Sequence, residues 1–511
     1  MKKLKISIID LVHNSNSNSL YRRMMFPNYI SIMPQIIGVW CRSEGHEVKY
    51  SIYTGTQSIK NMWQENTDIV FISSFTFTAT MAYSLSNYFR KKGIITVLGG
   101  PHARCYPEDA CLYFDYVMGL TNKEMLLDLL RFFEPQNNGG IYLATKVHPK
   151  TLPGLRERWQ FIEQINRGFN VIKFVQMLGS LGCPHHCDFC IDSEIPYQTL
   201  EPETIKDDLR FLLSRIKNPK VSWYDPNFGV RFNQMMDIIE SAVPKNHISF
   251  VAECNLSTLN EPNVKRMRDN GFKMVMPGIE SWFDYGAKSN TGNSTGIEKV
   301  KQVADQVNMI QRYIPHVQTN FLLGLDSDMG DEPFELTKKF VDLAPVAYPS
   351  FALLSVYGQA ANGNLKYEKE NRVIPFPFHY MMSVHTLNII PKNYSWEEFY
   401  IRYIDLLKHC FSNSTIQKRF NANQMFASKW IILFLSLSIG GKGKIKLLSS
   451  IMNQLKHDND FQAFVKKETT QVPSFMAQKI KSDLGELWDW LPNKNFDYKT
   501  NVISNHFQMK E

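Results

Sequence analysis

Residues 179–192 read GSLGCPHHCDFCID and hold a closely spaced group of thiols. The thiols belong to Cys183, Cys187 and Cys190. The preceding residues, 172–178 (IKFVQML), predict a β-strand, so the thiols follow the carboxyl end of a strand. Thiolates bind zinc and iron–sulfur clusters. A closed zinc site needs four ligands, which His185 or His186 would complete, whereas a 4Fe–4S cluster held by three cysteines leaves one iron open to another ligand.

Length and composition indicate a globular protein of several domains. The chain has 511 residues, 44% of them hydrophobic and 21% charged, and a mild net charge of +8 that permits an anionic partner without demanding one. No apolar run is long enough to span a membrane, and residues 430–441 (WIILFLSLSIGG) predict a buried helix. Eight cysteines, three of them clustered, suit a metal site in a reducing compartment, so we expect a cytoplasmic protein.

The first third of the sequence alternates between strand and helix patterns. Strands are predicted at 5–12, 46–53, 68–75, 94–102 and 115–120, with helices at 29–44, 79–92 and 122–133. This order predicts a doubly wound parallel sheet, and ligands of such sheets bind beyond the carboxyl ends of the strands. At those ends lie the candidate ligand-binding residues Ser73, Ser74, Gly99 and Gly100.

A second strand–helix series follows a polar linker and begins with the strand before the cysteines. Its six predicted strands are 172–178, 221–224, 248–252, 273–277, 318–325 and 350–357. Six strand–helix units are fewer than the eight of a closed barrel, so we expect a partial (β/α)6 barrel with its site at the carboxyl ends of the strands. The predicted α/β domain is 1–135, the connector 136–170, the partial barrel 171–374 and a helical C-terminal domain 375–511.

The cysteine loop resembles the CxxxCxxC loop of the radical S-adenosylmethionine (radical SAM) enzymes, including the aromatic Phe189 before the third cysteine. The resemblance implies a 4Fe–4S cluster on the three cysteines, with SAM bound to the open iron. In that family an electron from the cluster cleaves SAM into methionine and a 5′-deoxyadenosyl radical, which abstracts a hydrogen atom.

Three further segments resemble SAM-binding strand ends of the same family. WYDPNFG (223–229) implies Asp225 near the SAM amino group, and PGIES (277–281) implies Glu280 and Ser281 near the ribose or methionine. FLLGLDSD (321–328) resembles the GLPGET segment and implies Gly324 close to the adenine, although Asp326 and Ser327 replace its proline and glycine. Solvated strand ends or salt bridges are the alternative for Asp225 and Glu280.

The first domain resembles the cobalamin-binding domain of many radical SAM enzymes, through its order of elements and VLGGPHA at 97–103. The motif Asp-x-His-x-x-Gly is missing, because Asp10 and His13 are spaced differently, and GLTNKE at 119–124 replaces the usual GEGE. Many members bind cobalamin without a histidine ligand, so we expect bound cobalamin, with a degenerate empty domain as the alternative.

This architecture, that of class B radical SAM methyltransferases, implies cobalamin-dependent methylation of an unactivated carbon of a small molecule or peptide. A cyclisation or rearrangement enzyme is one alternative. A methylthiotransferase for transfer RNA is another, and it would need a second cluster on Cys41, Cys105 and Cys111. A zinc or nucleic-acid module is a third, although the basic residues look dispersed.

The expected partners are the substrate and an external electron donor such as flavodoxin or ferredoxin; neither nucleic acid nor a transmembrane segment is expected. Candidates for shaping the substrate pocket, with ordinary packing as the alternative, are Tyr357, His379, Tyr380 and His385.

Overall fold

The structure is a computed structural model that describes residues 2–15, 28–55, 57–166, 173–360, 363–438 and 440–499. It contains two six-stranded parallel sheets followed by helices, which confirms the expected fold class. No helix in these ranges is long and apolar enough to cross a membrane.

The first sheet has the strand order β2-β1-β3-β4-β5-β6 and is parallel throughout. Its strands are β1 Lys5–Leu11, β2 Glu47–Tyr53, β3 Ile69–Ser74, β4 Ile95–Gly99, β5 Tyr116–Met118 and β6 Ile141–Leu143. The accompanying helices are α1 Ile32–Ser43, α2 Ala79–Arg90, α3 Pro101–Cys105, α4 Pro107–Ala110, α5 Lys123–Phe132 and α6 Leu155–Asn166. Strand β6 lies in the segment that the sequence assigned to the connector, because its three residues are too few to give a pattern.

The second sheet has the order β14-β13-β12-β11-β10-β7, again all parallel, as a six-stranded partial barrel requires. The strands after β6 are β7 Val175–Met177, β8 Ser180–Leu181, β9 Gln198–Thr199, β10 Lys220–Trp223, β11 Ser249–Asn255, β12 Phe272–Glu280, β13 His316–Leu323 and β14 Tyr348–Leu353. The helices are α7 Pro202–Arg215, α8 Phe232–Ala242, α9 Glu261–Asp269, α10 Gly286–Ser289, α11 Gly296–Gln311 and α12 Glu332–Leu343.

Alternation along the strands separates the two faces of this sheet. Trp223, Phe250 and Phe272 are almost fully buried and their rings pack together, with centroids 6.0 and 5.1 Å apart. The opposite face carries polar residues, of which Glu253 in the middle of β11 is exposed and Asn320 on β13 is half-buried. Because side chains alternate along a strand, the aromatic residues pack on the helix side and the polar ones face the open interior of the barrel.

The C-terminal region is helical, as predicted. Its helices are α13 Asn364–Lys369, α14 Trp396–Cys410, α15 Asn413–Ala422, α16 Phe426–Leu437, α17 Lys442–His457, α18 Asn459–Val465 and α19 Ser474–Leu484. Short 3-10 turns lie at Ile59–Asn61, Thr76–Thr78, Phe228–Arg231, Leu256–Thr258, Gly358–Ala360, Phe378–Tyr380 and Gly485–Trp490. The prediction that the apolar run from Trp430 forms a helix is confirmed, but its predicted burial is wrong, because Trp430 and Leu437 are each 51% exposed.

Substituting Trp223, the largest fully buried side chain, tests the packing of the second sheet. We expect Trp223→Ala to lower the free energy of unfolding by about 3–5 kcal/mol, because the cavity removes ring contacts to Phe228 and Phe250. Urea denaturation followed by circular dichroism measures the change. Phe132→Ala is the control, since Phe132 is 77% exposed and its removal should change stability by about 0.5 kcal/mol or less. Equal effects of the two substitutions would contradict the packing described.

Candidate functional site

The cysteine loop is closed at its base by a short antiparallel ladder. Strands β8 and β9 pair on either side of the loop, and the Leu200 N–H donates to the Gly179 carbonyl at 2.9 Å. Gly182 adopts φ +66°, and a Cβ there would lie 2.3 Å from the Pro196 carbonyl oxygen. Only glycine therefore fits where the chain leaves the ladder, and the ladder fixes the loop at the carboxyl end of β7.

The three thiols of this loop are half-buried and are not joined by disulfides. The Cys190 N–H donates to the Cys187 carbonyl at 3.0 Å, which curls the loop so that both residues lie on one turn. Burial raises the pKa of Cys187, and it raises that of Cys190 to about 11. Both thiols therefore hold their protons in the free protein, and a cluster that takes them as ligands must displace those protons.

The two histidines inside the loop are engaged elsewhere. His186 Nδ1 lies 3.1 Å from the Ser193 carbonyl oxygen, and His185 Nε2 lies 2.8 Å from the Asn255 side-chain nitrogen at the end of β11. Among the described residues, no three His, Cys, Asp or Glu side chains converge as ligands of one metal ion would. A closed zinc site is therefore not supported, whereas a cluster bonds each thiolate to a different iron atom and does not require the sulfurs to meet at one point.

Asp225 holds the start of the cysteine loop. Its carboxylate accepts hydrogen bonds from the Gly179 N–H at 2.9 Å and from the Ser180 hydroxyl at 2.5 Å, and the side chain is buried. Burial raises the pKa of Asp225 to about 6, against the effect of these hydrogen bonds. The resemblance predicted this residue near the SAM amino group; in the structure its contacts anchor the loop.

Glu280 and Lys288 form an ion pair beside the cysteines. Glu280 ends β12 at a register shift and has φ +63°, which turns the chain there, and its carboxylate binds the Lys288 ammonium. Lys288 also lies 5.8 Å from the centre of the Phe189 ring, which packs edge-on against Tyr285. The Tyr285 hydroxyl donates to Asp188 at 2.7 Å. The turn after β12 thus covers the second half of the cysteine loop with a cation.

The other two predicted SAM contacts stabilise turns. The Ser281 hydroxyl accepts from the Phe283 N–H at 3.1 Å, so its oxygen is used within its own turn. Gly324 adopts φ +92°, and its N–H donates to the buried Asp328 carboxylate at 2.8 Å. Asp326, where the family has proline, binds Arg372 at 2.7 Å, so ion pairs to the C-terminal region hold this turn in place.

A cavity of about 360 Å³ lies between the first sheet and the cysteine loop. Ser73, Gly99 and Gly100 line it, together with residues 180–182 of the loop base and Asp192. Gly100 has φ +91°, and a Cβ there would lie 2.8 Å from the Ser74 carbonyl oxygen. Ser74 itself is fully buried, and its hydroxyl hydrogen-bonds Thr78 at 2.8 Å, so it supports the wall without lining it.

Arg104 links the two sides of this cavity. It lies in α3, directly after the double glycine, and donates to Asp192 Oδ1 at 2.9 Å and to the Ile191 carbonyl at 3.3 Å. The Asp192 N–H in turn lies 3.4 Å from Cys190 Sγ. A charged contact thus connects the element after β4 to the turn that carries the third cysteine.

Two histidines in this part of the protein differ in whether their Nε2 atom already has a hydrogen-bond partner. His102 is fully buried with Nε2 2.8 Å from the Tyr83 hydroxyl, and burial lowers its pKa to about 3. His148, in the loop after β6, lines the cavity, and its buried Nε2 has no hydrogen-bond partner among the described residues. The described residues thus leave one ring nitrogen of His148 unpartnered in a residue that lines the cavity, whereas His102 is part of the core.

The remaining candidates are packed into the protein. His379 contacts Asp483 at 2.9 Å, burial lowers the pKa of His385 to about 3, and the Tyr357 hydroxyl lies 3.5 Å from the Met381 carbonyl oxygen. Tyr380 is half-buried and edge-on to His379. The thiols proposed for a second cluster are buried in the first domain, and burial raises the pKa of each: Cys41, Cys105 and Cys111.

Several residues at the site have no motif in the sequence. Tertiary packing alone brings these residues to the site. Lys288 and Arg104 contact the cysteine loop, Glu253 faces the barrel interior, and His148 lines the cavity. Glu253 directly follows the predicted strand 248–252, and the observed strand β11 runs on through it, so its acidic side chain faces the open interior of the barrel.

The comparisons with known proteins agree with this geometry. Residues 177–340 match the family model described as the Radical SAM superfamily. A bacteriochlorophyllide d C-12(1)-methyltransferase of Chlorobaculum tepidum is 23% identical over 72% of this chain and 80% of its own length. A C-8(2)-methyltransferase of the same organism is 25% identical over 57% of this chain and 66% of its own length.

Solved structures share the fold. The cobalamin-dependent SAM radical enzyme OxsB with aqua-cobalamin bound superposes with a TM-score of 0.54 at 12% identity, covering 96% of this chain and 80% of OxsB. The radical SAM methyltransferase TsrM from Kitasatospora setae, with cobalamin and a [4Fe-4S] cluster bound, gives 0.50 at 13% identity, covering 72% and 78%. The family match identifies residues 177–340 as a radical SAM domain, and over most of its length the chain is similar to a bacteriochlorophyllide methyltransferase.

Proposed function

We propose that the protein methylates a carbon atom of a small molecule or peptide, using a 4Fe–4S cluster, SAM and cobalamin. The observation that carries the proposal is the cavity whose walls are the glycine-bearing strand ends of the first sheet and the base of the cysteine loop. In such an enzyme the cluster and SAM supply hydrogen abstraction, and cobalamin supplies the methyl group.

Cys183, Cys187 and Cys190 are the cluster ligands in this proposal. Their loop fits a three-thiolate cluster because its base is fixed by Asp225 and by the β8–β9 ladder. Lys288 would offset the negative charge of the thiolate ligands, because its ammonium lies over the ring of Phe189, which stands between Cys187 and Cys190 in the loop. The Asp192 N–H, directed at Cys190 Sγ, favours the thiolate, and hydrogen bonds to cluster sulfurs also tune the reduction potential.

SAM would bind between the cysteine loop and the turns after β12 and β13. Phe189, Glu280, Ser281 and Gly324 mark this region, and Asp225 fixes its floor. The Glu280 carboxylate can accept hydrogen bonds from the amino group or a ribose hydroxyl of SAM, and the Lys288 ammonium can bind the carboxylate of SAM. The hydrogen bonds of Ser281 and Gly324 hold their two turns rigid. The backbone groups of these turns would therefore be fixed in position to bind the nucleoside of SAM.

Cobalamin would occupy the cavity against Ser73, Gly99 and Gly100, with Ser74 behind them. The glycines let the backbone approach the ligand closely. The unpartnered Nε2 of His148 can accept from a corrin amide side chain. The first domain thus keeps a usable site, although the sequence motifs for a histidine ligand and for GEGE are absent.

The substrate would enter the barrel interior, where Glu253, Gln318 and Asn320 offer polar contacts. The relatives' names supply candidate classes: bacteriochlorophyllides for two of them and tryptophan for TsrM. A flavodoxin or ferredoxin would deliver the electron. Free thiols and an oxygen-sensitive cluster suit the reducing cytoplasm.

Methyl transfer is tested by supplying SAM labelled in its methyl group, together with hydroxocobalamin, reductant and a panel of bacteriochlorophyllide d, tryptophan and tryptophan-containing peptides. We expect label in the product of one panel member, with S-adenosylhomocysteine and 5′-deoxyadenosine formed together. If a substrate is consumed and 5′-deoxyadenosine forms but the product carries no label, the methylation proposal is wrong and cyclisation or rearrangement takes its place.

Removing one thiol tests the cluster assignment. Cys187→Ala should abolish the iron–sulfur absorbance and SAM cleavage after anaerobic reconstitution, because two thiolates cannot hold the cluster with its open iron. His186→Ala is the matched control in the same loop and should keep both, since within the described residues the hydrogen-bond contact of that ring is to the Ser193 carbonyl. Loss of the cluster in both variants, or in neither, would contradict the assignment.

Crowding the double glycine tests the cobalamin site. Gly100→Val should prevent retention of hydroxocobalamin while leaving iron content unchanged, because a side chain there meets the backbone of Ser74 and the cavity. Gly93→Val, at another positive φ with open space around it, controls for backbone strain. Electron paramagnetic resonance (EPR) of bound cob(II)alamin should lack nitrogen splitting, and a splitting lost in His148→Ala would make His148 a cobalt ligand instead.

Asp225 is tested as the anchor of the loop. Asp225→Ala should lower stability by about 1–3 kcal/mol and release most of the iron, because two buried donors lose their acceptor. Asp225→Asn keeps an acceptor oxygen and should restore iron binding in large part. Thermal unfolding and iron analysis measure both effects. Equal iron content in Asp225→Ala and wild type would show that the loop does not depend on this contact.

A further inference from the structure

Helix α16 presents its apolar side outward. Phe426 is 76% exposed, and Trp430 and Leu437 are each 51% exposed. The side that packs against the protein is formed by Ser428 and Ser436 together with Ile432. A helix on the surface of a globular domain normally has the opposite arrangement, with its apolar stripe toward the core.

Specific contacts fix this orientation. The Ser428 hydroxyl lies within hydrogen-bond distance of the His316 ring at the start of β13, and the Tyr348 hydroxyl at the start of β14 lies 3.5 Å from the Leu435 carbonyl oxygen. The polar side of α16 therefore covers the amino end of the barrel. The outward surface, which we call the apolar patch, consists of Met425, Phe426, Trp430, Ile431 and Leu437.

The stretch of chain that contains this patch carries the excess positive charge of the protein, with Arg419 and Lys444 buried and the other cations at least partly exposed. Residues 406–457 contain no aspartate or glutamate but hold Lys408, Lys418, Arg419, Lys429, Lys442, Lys444, Lys446 and Lys456. The whole chain has 57 lysines and arginines against 49 acidic residues, so this one segment accounts for the net charge of +8. Outside it, positive and negative charges balance.

Some of these cations are placed to act with the patch. Lys429 lies on α16 itself, 5.3 Å from the centre of the Phe420 ring, and Trp430 packs edge-on against the same ring at 5.7 Å. On the following helix, α17, Lys446 is exposed next to Leu447, which is 42% exposed. Aromatic and aliphatic side chains thus lie among lysines on one continuous stretch of chain.

We propose that the apolar patch docks the enzyme on a membrane surface that contains anionic lipid. Exposed Trp, Phe and Leu side chains enter the boundary between headgroups and acyl chains, while lysines bind anionic headgroups. A second copy of the chain fits less well, because its own positive segment would repel this one. Nucleic acid also fits less well, because the most exposed side chains of the patch are apolar and carry no phosphate-binding group.

The docking surface is separate from the proposed reaction site. The patch lies at the amino end of β13, whereas the cysteine loop and the cavity lie at the carboxyl ends of the strands. Membrane docking therefore goes beyond the proposed methyl transfer, and substitutions in the patch should leave cluster content and SAM cleavage unchanged.

The test is flotation of the reconstituted full-length protein with vesicles of phosphatidylcholine alone or of phosphatidylcholine and phosphatidylglycerol in equal parts. The wild type should float with the anionic vesicles only, and raised salt should release it because ions screen the lysines. The double substitution Phe426→Ser and Trp430→Ser should weaken binding by about tenfold or more, through the loss of buried apolar area.

Phe132→Ser is the matched control, because Phe132 is 77% exposed, belongs to α5 of the first domain and lies outside the positive segment. It should bind vesicles like the wild type. Circular dichroism checks that both variants fold. Equal binding of the double variant and the wild type, binding to neutral vesicles alone, or no vesicle binding at all would overturn the proposal. A dimer in gel filtration that the double variant loses would also overturn it, in favour of self-association.

Discussion

The buried carboxylate of Asp225 is the contact on which the proposed site depends. It joins the end of β10 to the Gly179 N–H and the Ser180 hydroxyl, at the point where the chain leaves β7 and enters the cysteine loop. A loop of this length without such a contact would sample many conformations, and three thiols would then have to be ordered by the cluster alone. Here the base of the loop is set before any ligand binds, so the cluster would need to order only the tip.

The same loop base is also a wall of the cavity above the first sheet, so the proposed cluster and cobalamin sites share that wall. Residues 180–182 contribute to the cavity on one side and lead to Cys183 on the other. Arg104 ties the opposite wall to Asp192, behind the third cysteine. The two domains are therefore joined at the position where two proposed reagents have to meet at one substrate.

Much of this could be predicted from sequence, because strands buried on both faces and cysteines at fixed spacing leave strong local patterns. The six barrel strands and the position of the loop were predicted in this way. The strand Ile141–Leu143 was missed because it is short. A salt bridge was the alternative given for Glu280 and is found, but its partner Lys288 was not predicted because it lies beyond a turn with positive φ. The outward face of α16 was predicted to be buried, since an apolar run carries no information about which partner covers it. The resemblance predicted SAM contacts for Ser281 and Gly324. In the structure the Ser281 hydroxyl and the Gly324 N–H are hydrogen-bonded within their own turns, which a sequence motif does not reveal.

The shared cavity wall makes one measurement the most direct test. In protein that holds both cofactors, the reduced cluster and cob(II)alamin would lie close enough for their unpaired electrons to interact. EPR should then show a cob(II)alamin signal that relaxes faster, or is broadened, relative to the same signal in Cys187→Ala, which lacks the cluster. Identical cob(II)alamin relaxation in wild type and Cys187→Ala, with both cofactors present in the wild type, would contradict the arrangement of two sites on one cavity.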